Sequence, residues 1–116
     1  MRVQQQQQSL RLRINEAELA ALLAGGTVGN ETRWPDGHAE RHQLVLAAQH
    51  GWQRSPDGWR VALADAAVRE LATRLPSRDG LQFELVVPGG ATLSLLFDVD
   101  VRDSVRRRRI DREGGA

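Results

Sequence analysis

SLRLRINEAELAALLAGG, residues 9–26, is the stretch that decides the fold of this chain. Apolar residues alternate with arginines from position 10 to position 14, which is the period-two pattern of a strand with one buried face. Asn15 can then accept a hydrogen bond from a backbone N–H, and Glu18 supplies the return half of a capping box. The stretch therefore predicts a strand that passes directly into a capped helix, which ends at one of its two glycines.

A weaker version of the same order begins at Trp59. Trp59, Val61 and Leu63 alternate with other residues, and the chain then passes straight into a helical pattern. Val68 and Leu71 lie at the spacing that places them on one face of that helix. This recurrence indicates that the chain contains two related strand–helix units.

Two alternating segments follow each predicted helix. In the first half they are separated by the turn signal WPDG at 34–37, and in the second half by PGG at 88–90. The order predicts an α+β fold of two β-α-β-β units, which a possible internal duplication would explain. We expect a mainly antiparallel sheet or a partly open barrel with two short helices, and the Pro-Asp-Gly turn at 56–58 to join the units.

Length and composition favour one small cytosolic domain. The chain has 116 residues, which predicts a single domain over 1–101, followed by an Arg-rich tail or terminal helix over 102–116. No apolar run is long enough to cross a bilayer, and the first residues lack the apolar segment of a signal peptide. Cysteine is absent, which excludes disulfides and thiolate chemistry. We therefore expect a cytoplasmic protein of bacterial type with no membrane partner.

Charge is concentrated near the end of the sequence. Residues 1–101 carry ten Arg and twelve acidic residues, a formal charge of −2, whereas 102–116 carry six Arg and three acidic residues, a charge of +3. A compact basic block consists of Arg106, Arg107, Arg108 and Arg109. Clustered arginines can bind nucleic-acid phosphates or an acidic partner. The tail has no aromatic residue for base stacking, so a solvated tail or helix is the favoured interpretation.

Histidine and tryptophan offer few candidates for chemistry. His38 and His42 would be about 13 Å apart on a strand, too far to share one metal ion, and we expect the strand histidines to face solvent. Trp52 and Trp59 flank a predicted turn, where packing within a hairpin is favoured over a ligand cage. The sequence predicts no catalytic residue, metal site or cofactor.

Carboxylates and arginines on two predicted strands are the candidate ligand-binding residues. Asp98 and Asp100 share one strand face and could bind a divalent cation through oxygen. Arg11 and Arg13 could bind a phosphate beside them. The alternative is that the carboxylates face solvent and pair with neighbouring arginines.

The first 26 residues resemble a family of small bacterial proteins of unassigned activity. The resemblance rests on the strand SLRLRI at 9–14, on EAEL at 16–19 and on Gly26. It implies a small α+β domain and assigns no cofactor or catalytic residue. It also favours an edge strand over a flexible leader for the glutamine run at 4–8. The chain departs from the family in that glutamine run, in lacking a cysteine near the last strand and in its basic tail.

These observations favour a non-enzymatic binding or protein-interaction module, whose partner is a second copy of the chain or another protein. The alternative is a small metal-dependent or phosphate-binding enzyme that uses Arg11, Arg13, Asp98 and Asp100. A weaker alternative is nucleic-acid binding through the basic tail.

Overall fold

A computed structural model of the chain describes residues 1–77 and 79–101. The elements in this part are β1 (Arg2–Gln6), β2 (Ser9–Asn15), α1 (Glu16–Leu23), β3 (Val28–Arg33), β4 (Ala39–Ala47), β5 (Gly51–Ser55), β6 (Gly58–Ala64), α2 (Asp65–Thr73), β7 (Leu81–Val86) and β8 (Thr92–Asp100). The predicted α+β class is confirmed, and so is the succession of two β-α-β-β units. The edge strand β1 contains Gln4, Gln5 and Gln6.

The strands form two separate four-stranded sheets. Sheet A has the order β1-β2-β8-β7, and sheet B has the order β3-β4-β6-β5. The central pair of each sheet, β2 with β8 and β4 with β6, is parallel, while the outer pairs are antiparallel. The described strands therefore form two mixed sheets and no closed barrel, and four of their six strand pairs are antiparallel, in agreement with the expected mainly antiparallel arrangement.

Each β-α-β-β unit is preceded by one further strand that forms a hairpin with its first strand, β1 in the first half and β5 in the second. The turn at Pro56 and Asp57 lies inside a hairpin of β5 and β6, so it belongs to the second unit and does not join the two units as expected. The chain passes from one unit to the other between β4 and β5. Each unit gives one hairpin to each sheet, because the helix carries the chain from one sheet to the other. The two units are therefore interleaved.

A pseudo-twofold relation exchanges the two sheets. Ser9 pairs with Ser94 across the parallel centre of sheet A, as Gly58 pairs with Arg41 across the centre of sheet B. One backbone bond recurs at the same place in both sheets, from the Arg41 N–H to Asp57 at 2.7 Å and from the Ser94 N–H to Gln8 at 2.8 Å. Each residue of one sheet therefore has an equivalent position in the other sheet.

A continuous apolar core fills the space between the sheets and under the helices. Contacts between the sheets also occur near their edges. Asn30 Nδ2 of β3 donates to the carbonyl of Met1, which precedes β1, at 2.5 Å, and the ring of His50, which precedes β5, stacks on Phe83 of β7 at 4.4 Å. The buried residues are Leu10, Leu12, Ile14, Leu19, Leu22, Val28, Leu44, Trp59, Val61, Leu63, Val68, Leu71, Leu95, Phe97 and Val99.

The two helices begin where β2 and β6 end. α1 starts with the predicted capping box, in which Asn15 Oδ1 accepts from the Glu18 N–H at 2.8 Å. α2 carries the ion pairs Asp65–Arg69 and Glu70–Arg74 at i, i+4 spacing. Neither helix, nor any other helical segment in the described part of the chain, is long and apolar enough to cross a bilayer. The helices follow the carboxyl ends of β2 and β6, so the amino ends of these strands lie at the opposite end of the two packed sheets. We call this end, which no helix of the described chain follows, the open end.

Candidate functional site

A cavity of about 260 Å³ lies at the open end, between the two sheets. We call it the inter-sheet cavity. Its walls on sheet B are Glu40, His42, Trp52, Arg54 and Trp59. Its walls on sheet A and in the adjoining turn are Gln5, Gln7, Leu10 and Leu93. One wall is therefore aromatic and charged, and the other is apolar with two amides.

Three of the sheet B side chains form a row across neighbouring strands. His42 of β4 pairs with Trp59 of β6, and Trp59 pairs in turn with Arg54 of β5. Side chains at paired positions share a face of the sheet, and adjacent strands lie about 4.8 Å apart. The row therefore extends about 10 Å across the inner face, from His42 to Arg54.

His42 makes two specific contacts. Its ring stacks on Trp59 with 4.3 Å between centroids and 10° between planes. Its Nε2 lies 3.0 Å from Glu40 Oε2 and donates to that oxygen when it carries the proton. The His42 side chain is only 17% exposed, so the expectation that it faces solvent was wrong.

The sequence contained a signal for this inward position. Leu44 of β4 is fully buried, and counting back from it in steps of two reaches His42 and then Glu40. The alternation of a strand therefore places both polar residues on the inner face. Their polarity concealed the pattern, because the apolar run in β4 begins only at Leu44.

Arg54 is held over an aromatic ring at the edge of the cavity. Its Cζ lies 4.9 Å from the centroid of Trp52, within the range of a cation–π contact. Among residues 1–77 and 79–101, no carboxylate forms an ion pair with Arg54. Its guanidinium N–H groups are thus available to an anion in the cavity. Trp52 and Trp59 belong to one hairpin, as expected, and both also line the cavity.

Glu40, His42 and Trp59 have leucine counterparts in the other sheet, whereas Arg54 has the polar Gln5. The pseudo-twofold relation, read from the strand registers, pairs each residue of sheet B with one of sheet A. The pairs at the open end are Glu40 with Leu93, His42 with Leu95, Trp59 with Leu10 and Arg54 with Gln5. Nearer the helices the residues are apolar in both sheets, as in Leu44 with Phe97 and Val61 with Leu12.

This difference between the sheets shows which of these side chains the packing of the fold requires and which it does not. Leu95 is fully buried in sheet A, at the position that His42 occupies in sheet B. The same architecture therefore accepts leucine there, and packing alone does not require an imidazole. Polar side chains that the fold does not require, such as Glu40 and His42, are candidate functional residues.

The arginines and carboxylates predicted to bind a ligand lie elsewhere, on the outer face of sheet A. Arg11 donates to Asp98 Oδ2 from Nε at 3.1 Å and from Nη2 at 2.7 Å, and Arg13 Nε donates to Oδ1 at 2.9 Å. Asp100 lies two residues further along β8, opposite Asn15. Three of the four residues are thus brought together, with both oxygens of Asp98 engaged by the two arginines.

Two further expectations concern a metal site and the basic block. No group of three or more His, Asp or Glu side chains suited to a metal ion occurs in the part of the chain that the structure describes. The basic block of Arg106, Arg107, Arg108 and Arg109 lies outside the described residues.

On the same outer face, hydrogen bonds from Ser94 and Gln82 lower the pKa of the Glu84 carboxyl group. Ser94 Oγ donates to Glu84 Oε1 at 2.9 Å, and Gln82 Nε2 donates to the same oxygen at 3.1 Å. The bond from Ser94, and to a smaller extent that from Gln82, lowers the pKa of Glu84 from its ordinary 4.5. Since the folded-state pKa is lowered, these bonds stabilise the fold above the unfolded-state pKa. That contribution is lost as the pH falls through the folded-state value.

We expect Ser94→Ala to raise the pKa of Glu84 toward 4.5, because the largest stabilising bond to the carboxylate is removed. An NMR titration of the Glu84 side-chain carboxyl carbon measures this shift. Gln82→Ala should give a smaller rise. An unchanged titration in Ser94→Ala would contradict the assignment of the shift to this bond.

Comparison of the sequence with protein-family models and with curated proteins finds no match.

Proposed function

We propose that this chain is a non-enzymatic binding module that holds a small molecule in the inter-sheet cavity. The observation that carries the proposal is the asymmetry of the open end. Glu40, His42 and Trp59 stand where the pseudo-equivalent positions of sheet A carry leucine. Natural proteins retain such locally unfavourable polar groups mainly where they serve a function.

The chemistry of the cavity supports binding better than catalysis. It offers aromatic surface, an acceptor on Glu40 and donors on Arg54 and the two glutamines, which is the usual mixture of a small-ligand site. Its nine lining residues include no Ser, Thr, Cys, Tyr or Lys, and the two that belong to nucleophilic residue types, Glu40 and His42, face each other. The Nε2 of His42, the atom best placed for proton transfer, already faces Glu40.

The double variant Glu40→Leu/His42→Leu tests the proposal without knowledge of the ligand. It gives sheet B the residues that sheet A has at equivalent positions. We expect the free energy of unfolding, measured in urea, to stay within about 0.5 kcal/mol of the wild-type value or to increase, because apolar burial replaces a polar pair. Small planar compounds that bind the wild-type protein should not bind this variant.

The reciprocal variant Leu93→Glu/Leu95→His is the matched control. Leu95 is fully buried, so a polar side chain there should lower the free energy of unfolding by about 3 kcal/mol. If Glu40→Leu/His42→Leu lost as much stability as this control, Glu40 and His42 would be needed for the fold itself, and the proposal would fail.

In addition to binding a small molecule, we propose that the chain pairs with a second copy of itself. The outer strands of both sheets have one side without a strand neighbour in the described chain, and such edges can pair with another copy. On the edge strand β7, Val86 is 87% exposed. Light scattering at micromolar concentration should give the mass of a dimer, and a strict monomer would contradict this part of the proposal.

The enzyme alternative has weaker support. Arg11 and Arg13 already share Asp98, so their charge is partly neutralised before any phosphate arrives. Binding of inorganic phosphate that was lost in Arg11→Gln would nevertheless favour it. Nucleic-acid binding through the basic block requires that removal of residues 102–116 weakens affinity for nucleic acid and reduces its salt dependence.

A further inference from the structure

We infer that the ligand of the inter-sheet cavity is a flat ring that carries a single carboxylate at one end and an O–H or N–H donor at the other. This inference rests on the proposed function and specifies the chemical class of the ligand. It is drawn from the positions of Arg54, Glu40 and the apolar wall.

The shape follows from the two walls. Leu10 and Leu93 line the cavity with aliphatic side chains from sheet A. From sheet B it is lined by Trp59, whose ring has His42 stacked on one face, and by Trp52, whose ring has Arg54 over one face, so at most one face of each ring is left for a ligand. Packed sheets are about 10 Å apart, and side chains from both occupy most of that distance. The space left between an aliphatic wall and an aromatic wall suits one flat apolar ring.

The carboxylate follows from Arg54. Its guanidinium lies over Trp52, where the ring restricts its motion, and no carboxylate of the described chain pairs with it. A planar guanidinium binds a carboxylate through two parallel hydrogen bonds. The amides of Gln5 and Gln7, on the facing wall, supply further donors. This side of the cavity is therefore suited to a planar anion.

Glu40 explains why the ligand should carry only one negative charge and why it should carry an O–H or N–H donor. Its carboxylate lines the same cavity and would repel a doubly charged phosphate. Oε2 faces His42, so Oε1 remains able to accept a bond from the ligand. Glu40 and Arg54 lie on strands separated by one other strand, and Glu40 is two residues from the position in register with Arg54, so the two residues are about 12 Å apart along the sheet. A six-membered ring with substituents at opposite ends can reach from one to the other.

Titration calorimetry of the full chain with 4-hydroxybenzoate tests the inference. Two matched compounds each lack one recognised group: 4-hydroxybenzamide has no charge, and benzoate has no donor. We expect each to bind at least about tenfold more weakly, since a hydrogen bond to a charged group is lost in both cases. Arg54→Gln should abolish the preference for the acid over the amide. Arg60→Gln, on the outer face beside Gln43, is the matched control and should leave that preference intact.

The outcomes separate this inference from the proposed function. Equal binding of the acid and the amide, or a preference that survives in Arg54→Gln, would overturn the ligand class. So would binding of other planar compounds to the cavity when 4-hydroxybenzoate does not bind. If no small planar compound of any charge binds the wild-type chain, the proposed function itself fails, and the ligand class fails with it.

Discussion

Gly58→Ala is expected to lower the free energy of unfolding by at least about 3 kcal/mol, or to prevent folding. A Cβ at this position would lie 1.8 Å from the carbonyl oxygen of Arg41, which is backbone and cannot rotate away. The contact falls at the start of the parallel pair β4 and β6, the centre of sheet B. Urea unfolding followed by circular dichroism measures the loss.

Gly51→Ala is the matched control for this prediction. Gly51 also lies in a strand of sheet B, but a Cβ there would meet no atom within 4 Å. We expect a change within about 0.5 kcal/mol. Equal effects of the two substitutions would mean that the close approach of β4 and β6 at Gly58 does not exist.

A chain that is cut between β4 and β5 is expected to remain associated. Both parallel pairs, β2 with β8 and β4 with β6, join one unit to the other, so each unit depends on its partner to complete two sheets. A protease site inserted after Gln49, in an exposed stretch, allows the cut to be made in the folded protein. The cut protein should elute at the mass of the uncut chain and give two fragments on a denaturing gel.

The two fragments produced by the cut can also be separated in urea and studied one at a time. Each fragment would hold two hairpins whose inner strands lack their parallel partners, and we expect neither to unfold cooperatively when separated from the other. Mixing the fragments after removal of urea should restore the cooperative transition. Two fragments that separate under native conditions and each fold alone would contradict the interleaved arrangement.

Local structure could be predicted because its causes are local. The capping box needs only Asn15 and Glu18, three residues apart, and the structure contains it. The ion pair Asp65–Arg69 within α2 has an equally local cause, since its two residues are four positions apart. The pattern in β2 also identified its buried face correctly, since Leu10 and Leu12 are both buried.

The sheet arrangement could not be predicted because it depends on contacts far apart in sequence. Arg11 reaches Asp98 across 87 positions, and no local pattern states that β2 will pair with β8. A hairpin was predicted around Trp52 and Trp59, but β5 was not counted as an element of a unit because GWQRS is short and precedes a strong turn signal. Without β5, the turn at 56–58 was interpreted as the junction between the units.

The inter-sheet cavity was missed for a related reason. Its walls come from strands of both sheets, so the group exists only once β4, β5 and β6 are side by side. Glu40 and His42 were visible in the sequence as polar residues before an apolar run. Their meaning became clear only beside Leu93 and Leu95, which hold the equivalent places in sheet A.

The most direct test of the binding site uses the three tryptophans as reporters in one NMR experiment. Trp52 and Trp59 line the inter-sheet cavity, whereas Trp34 is 48% exposed in the turn between β3 and β4 and lies outside it. Indole N–H signals are recorded while small planar anions, neutral compounds and cations are added in turn. We expect at least one compound to shift the signals of Trp52 and Trp59, to leave that of Trp34 unchanged, and to shift no indole signal of Glu40→Leu/His42→Leu. If no compound shifts the Trp59 signal, or if the double variant responds as the wild type does, the cavity is not a binding site.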